Sequence, residues 1–132
     1  MIIRLPFPPA ELSPNRKNGK AWGSTIAAKK AQREAAFYAT RQAASGFIAP
    51  SGYIPLSLLF LTPDGRRRDL DNMLSSAKSA IDGIALALKI DDSRFKPVLI
   101  DFVRGPDKVG ALIAGIGVQI VTGIEFADGV TV

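Results

Sequence analysis

Arg66-Arg67-Arg68-Asp69-Leu70-Asp71-Asn72 sets three cations against two carboxylates in one short run. An amphipathic segment with Lys78 and Asp82 follows, and the chain then reaches Asp91-Asp92-Ser93-Arg94. Asp69 and Asp71 are two positions apart. Extended backbone puts such residues on one side, whereas a helix puts them on nearly opposite sides. Paired action therefore requires a helix to start after them, with Asp71 or Asn72 as a suitable N-cap. Both carboxylates would then sit where a strand ends and a helix begins, beside free N–H groups and partial positive charge that favour phosphate. Asp91 and Asp92 follow the same helix at its C-terminal end, where negative charge opposes the dipole. Brought back to Asp69 and Asp71, they would complete a metal site. An ordinary exposed Asp-Asp-Ser turn is the competing reading.

The chain has no histidine and no cysteine, so a histidine base, a Ser-His triad and a zinc-thiolate site are all excluded. A metal must be held by oxygen ligands, which select hard cations such as Mg²⁺, Mn²⁺ or Ca²⁺. Mg²⁺ keeps several waters, one of which can act as nucleophile while the ion neutralises a phosphodiester. Arg66, Arg67 and Arg68 would neutralise neighbouring phosphates. The net charge of +5 and pI near 9.8 agree with an anionic partner, nucleic acid or membrane. A solvated basic surface accounts for the same numbers. Asp64, Asp82, Asp101 and Asp107 are the competing carboxylates.

The elements that must position these groups follow from pattern. Ile2 to Leu5 reads as a strand ended by Pro6, Pro8 and Pro9. A basic loop follows, in which Arg16, Lys17 and Lys20 suit phosphate contacts, and then Trp22, either a packing anchor or a stacking platform. Ser24 to Ala44 is an alanine-rich helix capped by Ser24 or Thr25 and stopped at Ser45-Gly46. Its exposed charges are mainly basic: Lys29, Lys30, Arg33 and Arg41.

Ile54 to Leu61 is apolar enough for a strand buried on both faces. Asn72 to Leu88 is a second helix; Val98 to Val103 and Leu112 to Val121 are strands joined as a hairpin through Gly105-Pro106-Asp107-Lys108. On a continuous helix, Leu74, Ala77, Ile81, Ile84, Ala85 and Leu88 form a core stripe, with Asp71, Lys78, Asp82 and Lys89 on a line beside it. Lys78 is then placed either to reach a metal-bound phosphate or to pair with Asp82. The expected fold is a single α+β domain over residues 1–132, ordered β-α-β-α-β-β, with two helices packed on a small mixed sheet. No apolar run approaches the ~20 residues of a membrane span, and no secretion signal is evident, so a cytoplasmic protein is expected.

Arg67-Arg68-Asp69-Leu70-Asp71-Asn72, then Lys78, Asp82 and Asp91-Asp92, closely resembles the RusA family of Holliday junction resolvases. Leu5-Pro6-Phe7-Pro8-Pro9 and Ser13-Pro14-Asn15 resemble that family's opening. The resemblance runs from Leu5 to about Phe95. It implies a homodimeric, Mg²⁺-dependent endodeoxyribonuclease of bacterial or phage origin, acting in recombination and repair by paired nicks in four-way DNA junctions. It also implies that Asp69, Asp71 and Asp92 are the essential carboxylates with Asp91 close by. The family lysine maps onto Lys78, one turn beyond Ser75. The DNA-facing set becomes Arg66, Arg67, Arg68, Asn72, Asn15, Arg16, Lys17 and Lys20. Two rivals stand beside this reading: a basic DNA-binding protein without catalysis, and a sugar-nucleotide transferase using Asp69-Leu70-Asp71 as its metal motif.

Overall fold

β1 (Ile2–Pro6) alternates along its length, burying Ile3 and Leu5 while Ile2, Arg4 and Pro6 are exposed. The computed structural model describes residues 1–13, 22–62, 67–104 and 115–120. The remaining elements are α1 (Trp22–Ala43), β2 (Ile54–Thr62), α2 (Leu70–Ser76), α3 (Lys78–Leu88), β3 (Phe95–Arg104) and β4 (Gly115–Ile120). Short 3-10 turns occupy Ala10–Leu12 and Asp92–Arg94. The chain is thus a small single-domain α+β fold. No helix among the described residues is long and apolar enough to cross a membrane.

α1 follows from its alanine content, since alanine is the best helix former. It already includes Trp22, so Ser24 and Thr25 lie within the helix and do not cap it. Of Trp22 only the backbone is described. The chain leaves α1 through Gly46, whose φ of 76° is a left-handed conformation that glycine takes without penalty.

The strands form one mixed sheet in the order β1-β4-β2-β3. β2 runs parallel to β3 and antiparallel to β4, and β4 runs antiparallel to β1. The expected hairpin between the last two strands is therefore corrected: β4 pairs with β1 and β2, not with β3. Insertion there satisfies backbone groups on both β1 and β2, where a hairpin would leave both edges open. β3 remains at the edge, a position that tolerates Pro97, which has no N–H to donate.

β2 also differs from expectation. Ile54, Leu56, Leu58 and Phe60 are at most 2% exposed, whereas Leu59 is 40% exposed. The inner residues join Ile3, Leu5, Ala36, Met73, Ala77, Ala80, Ile84, Ala85 and Phe95 in one core, and Val98, Ile100 and Phe102 pack against it. The helices cover this face only, so β2 is buried on one side and half-open on the other.

The predicted second helix is two helices. Ala77, with φ −108° and ψ 6°, separates α2 from α3. Its N–H bonds back to Leu74 O at 3.0 Å, and the Ser76 hydroxyl donates to Met73 O at 2.7 Å. Such serine back-bonding competes with the helix ladder and bends it. Gln32 of α1 bridges the break: its Nε2 donates to Ser76 O at 3.0 Å, and its Oε1 accepts from Ala80 N at 3.1 Å. α3 also approaches α1 closely at Gly83, whose missing side chain leaves room for the Arg33 carbonyl.

Thr40 is fully buried in α1, and its hydroxyl has no hydrogen-bond partner among the described residues. A buried hydroxyl without a partner costs about 1–3 kcal/mol. Thr40→Val keeps the shape and removes the polar atom, so it is expected to raise stability by about 1 kcal/mol. Chemical denaturation with an unchanged m-value is the check; a lower midpoint would contradict the assignment.

Candidate functional site

Asp69 has extended backbone (φ −107°, ψ 131°), and its side chain accepts a hydrogen bond from Asp71 N at 2.9 Å. It is therefore the N-cap of α2. The cap was expected at Asp71 or Asn72; Asp69 takes it because its own carboxylate reaches the Asp71 N–H. Asp71 lies in the first turn, and both carboxylates are exposed. Capping engages Oδ1 of Asp69 and leaves its second oxygen for another partner.

Beside this cap lies a cleft of about 850 Å³ between the proline-rich segment after β1 and the start of α2. Phe7, Pro9, Ser13, Arg67, Arg68, Asp69 and Asn72 are among its lining residues. Arg68 stacks over the Phe7 ring, 5.5 Å from guanidinium carbon to centroid, and Phe7 in turn meets Phe60 edge-to-face at 6.5 Å. The ring thus anchors an arginine to the core. Arg67 is exposed at the same rim.

The other half of the expected site lies beyond α3. That helix ends at Lys89, which takes the left-handed conformation (φ 57°, ψ 43°), and Ile90 N bonds back to Ala85 O at 3.0 Å. This turn carries Asp91 and Asp92 back beside α3, where Asp92 comes within hydrogen-bonding reach of Asp82. Desolvation, together with the contact and charge of Asp92, raises the Asp82 carboxyl above the usual aspartate range; Arg33 and Lys78 pull it the other way. The Asp91 carboxylate accepts from Ser93 N at 2.8 Å, and its contacts with Ser93 hold it below the usual range. Arg94 secures this segment by donating to Gly52 O at 2.9 Å and to Pro50 O.

The structure therefore brings Asp69 together with Asp71, Arg67, Arg68 and Asn72, and brings Asp91 and Asp92 together with Asp82, near Lys78. Among the described residues no three acidic side chains converge to hold a metal ion, so the four carboxylates of the expected set do not form one group. Mg²⁺ commonly takes only one or two carboxylates, the rest of its shell being water and substrate phosphate. Asp69, which lines the cleft, meets that smaller requirement. The expectation that the helix starts after both carboxylates is corrected, since α2 starts at Leu70 and holds Asp71 in its first turn. The break at Ala77 also interrupts the single helical line on which Asp71 and Lys78 were placed. Arg66, Asn15, Arg16, Lys17, Lys20, Asp64 and Asp107 lie outside the described residues. Sequence reasoning did not anticipate Phe7 as a support for Arg68, or Asp82 as the neighbour of Asp92. An aromatic residue between prolines hinted at the first; the second depends on a lysine in a left-handed turn, which sequence does not announce.

The Asp82–Asp92 contact gives a pH expectation. A raised folded-state pKa means that the folded chain binds the proton more tightly than the unfolded chain. Asp82 therefore adds stability below the ordinary aspartate range, and this contribution is lost as pH rises through its folded value. Asp92→Asn removes the opposing charge and is expected to lower the Asp82 midpoint. Carboxyl NMR titration measures it directly; an unchanged midpoint would mean that burial alone is responsible.

An uncharacterized protein of Xylella fastidiosa (strain Temecula1) is 39% identical to this chain over 124 residues, covering 92% of this chain and 80% of the relative. The two belong to one family. No protein family model matches the chain.

Proposed function

We propose that the chain is a Mg²⁺-dependent endonuclease of branched DNA, of the RusA type, cutting four-way junctions by paired nicks as a homodimer. The observation that carries this reading is the exposed Asp69, which lines a cleft together with Arg67, Arg68 and Asn72, with Asp71 exposed in the first turn of the helix that Asp69 caps. Arg67 and Arg68 would bind phosphates flanking the cut, with Arg68 held in place by the Phe7 ring. Asn72 would donate its amide to the backbone of the bound strand. The free oxygens of Asp69 and Asp71 would hold the ion, Mg²⁺ or Mn²⁺. When bound, that ion supplies a Lewis acid and a water of lowered pKa. Lys78 would add positive charge from the first turn of α3, with Asp82 and Asp92 as its acidic neighbours. A cytoplasmic location in a bacterial or phage-infected cell suits such an enzyme.

The lack of three converging acidic side chains among the described residues favours a second reading, a basic DNA-binding protein without catalysis. Purified protein incubated with labelled four-way, forked and linear DNA, with and without Mg²⁺, separates the two. The nuclease reading expects metal-dependent nicks in branched DNA. Binding without nicks under every metal condition would leave the second.

A further inference from the structure

Ser76 and Ala80 stand four positions apart, so on a continuous helix the Ser76 carbonyl would take the Ala80 N–H directly. Here the Gln32 amide of α1 occupies that rung. Its Nε2 donates to Ser76 O at 3.0 Å, and its Oε1 accepts from Ala80 N at 3.1 Å. One side chain from another helix thus closes the end of α2 and the start of α3. An amide suits this task because it offers donor and acceptor on one planar group. Ala77, the N-cap of α3, makes no side-chain cap bond, and Ala80 is buried, so the Ala80 N–H depends on Gln32. A group inserted into the helical ladder kinks the helix at that rung. The close approach at Gly83 delivers the amide. There α3 lies against the carbonyl of Arg33, the residue after Gln32.

The wedge separates the two halves of the candidate site. α2 carries Asp71 and Asn72 and is capped by Asp69, whereas Lys78 opens α3. We propose that Gln32 is a positioning residue: its amide holds the joint between α2 and α3 open and so fixes Lys78 relative to Asp69, Asp71 and Asn72. The purpose of that geometry rests on the nuclease reading; the geometry itself rests on two hydrogen bonds. Without the amide the rung closes. Ser76 O and Ala80 N then bond to each other, α2 and α3 become one helix, and Lys78 moves onto the straight-helix line, about 10 Å along the axis from Asp71.

The first measurement needs no DNA, so its failure is separate from a failure of the nuclease reading. The chain has no cysteine, and Leu70 and Leu86 are exposed, so spin labels go on at Leu70→Cys and Leu86→Cys alone. A straight helix sets these positions roughly 24 Å apart. The parent should read shorter, and Gln32→Met, which keeps the length but lacks the amide, should read longer than the parent. Gln32→Glu keeps the acceptor for Ala80 N but cannot donate to Ser76 O. It should lengthen the distance by less, and it carries the test should Gln32→Met not fold, as circular dichroism will show. On a four-way junction with Mg²⁺, Gln32→Met should cut about 10–100-fold more slowly at unchanged DNA affinity. Lys78→Ala should slow cutting as well, and the double variant should be no slower than Lys78→Ala alone, because both changes remove the same contribution. A general loosening of the fold would multiply the two losses instead. Equal label distances in the parent and the folded Gln32 variants, or losses that multiply, would overturn the proposal. A parent that cuts no DNA would sink the nuclease reading, and the label distance would still decide whether Gln32 holds the joint.

Discussion

Replacing Asp71 by asparagine is expected to slow Mg²⁺-dependent cutting of a four-way junction by about 10²–10³-fold, while DNA affinity holds or rises. Asparagine keeps the shape but removes a negative charge and a good ligand for a hard cation. Arg67 and Arg68 would then face phosphate with less competition nearby. Asp69→Asn should behave in the same way, and it is a cleaner variant than Asp69→Ala. Asparagine caps a helix about as well as aspartate, whereas alanine costs about 1 kcal/mol and would mix fraying with lost chemistry. Glu34→Gln, on the exposed side of α1, is the control. Gel-shift affinity and nicking rate are read on the same junction at one salt concentration. Cutting by Asp71→Asn at the parent rate would sink the carboxylate assignment.

Gly83→Ala is expected to lower stability by about 2 kcal/mol, although alanine is the better helix former by about 1 kcal/mol. A methyl group at this position would overlap the Arg33 carbonyl and crowd the Ala36 methyl at 3.1 Å. Backbone cannot swing aside as a flexible side chain can, so α1 and α3 must separate. For a chain of this length the melting temperature should fall by about 5–10 °C. Gly23→Ala provides the contrast. Gly23 also lies in a helix, but among the described residues nothing would stand within 4 Å of its added methyl, so that substitution should be neutral or mildly stabilising. Equal effects at the two glycines would mean that the two helices are not in close contact at Gly83.

Local pattern revealed what local forces decide. Ile54 to Leu61 reads as a strand from its nearly continuous hydrophobicity, and Ile54, Leu56, Leu58 and Phe60 are buried, but the same continuity suggested burial on both faces, which the exposed Leu59 contradicts. α1 is legible for the same reason, through alanine and a glycine stop. The errors lie where a distant group decides. Nothing in residues 72–88 required a break at Ala77; Ser76 permits it by bonding back to Met73 O, and Gln32 of α1 secures it from outside. Nothing in β4 announced that it prefers β1 and β2 to its sequence neighbour, because strand choice is settled by which edges remain open. At the candidate site, a helix start near residues 69–72 was readable, but not that Asp69 would cap it and draw Asp71 into its first turn. The partner of Asp92 was not, since it depends on how a lysine turns the chain after α3.

The place of β4 in the sheet has a consequence for how the chain is made. Ile2 meets Gln119, so β1 waits for a neighbour that is synthesised roughly a hundred residues later. At the usual pace of translation that is roughly 5–20 s. During this interval β2 can pair with β3 and collect α2 and α3, yet the edge reserved for β4 stays open, and so does β1. Closure is a long-range event, with the entropic cost and slow rate that such contacts carry. A nascent chain halted before β4 would present two unsatisfied strand edges to whatever lies nearby, which is the form most prone to capture by chaperones or to aggregation.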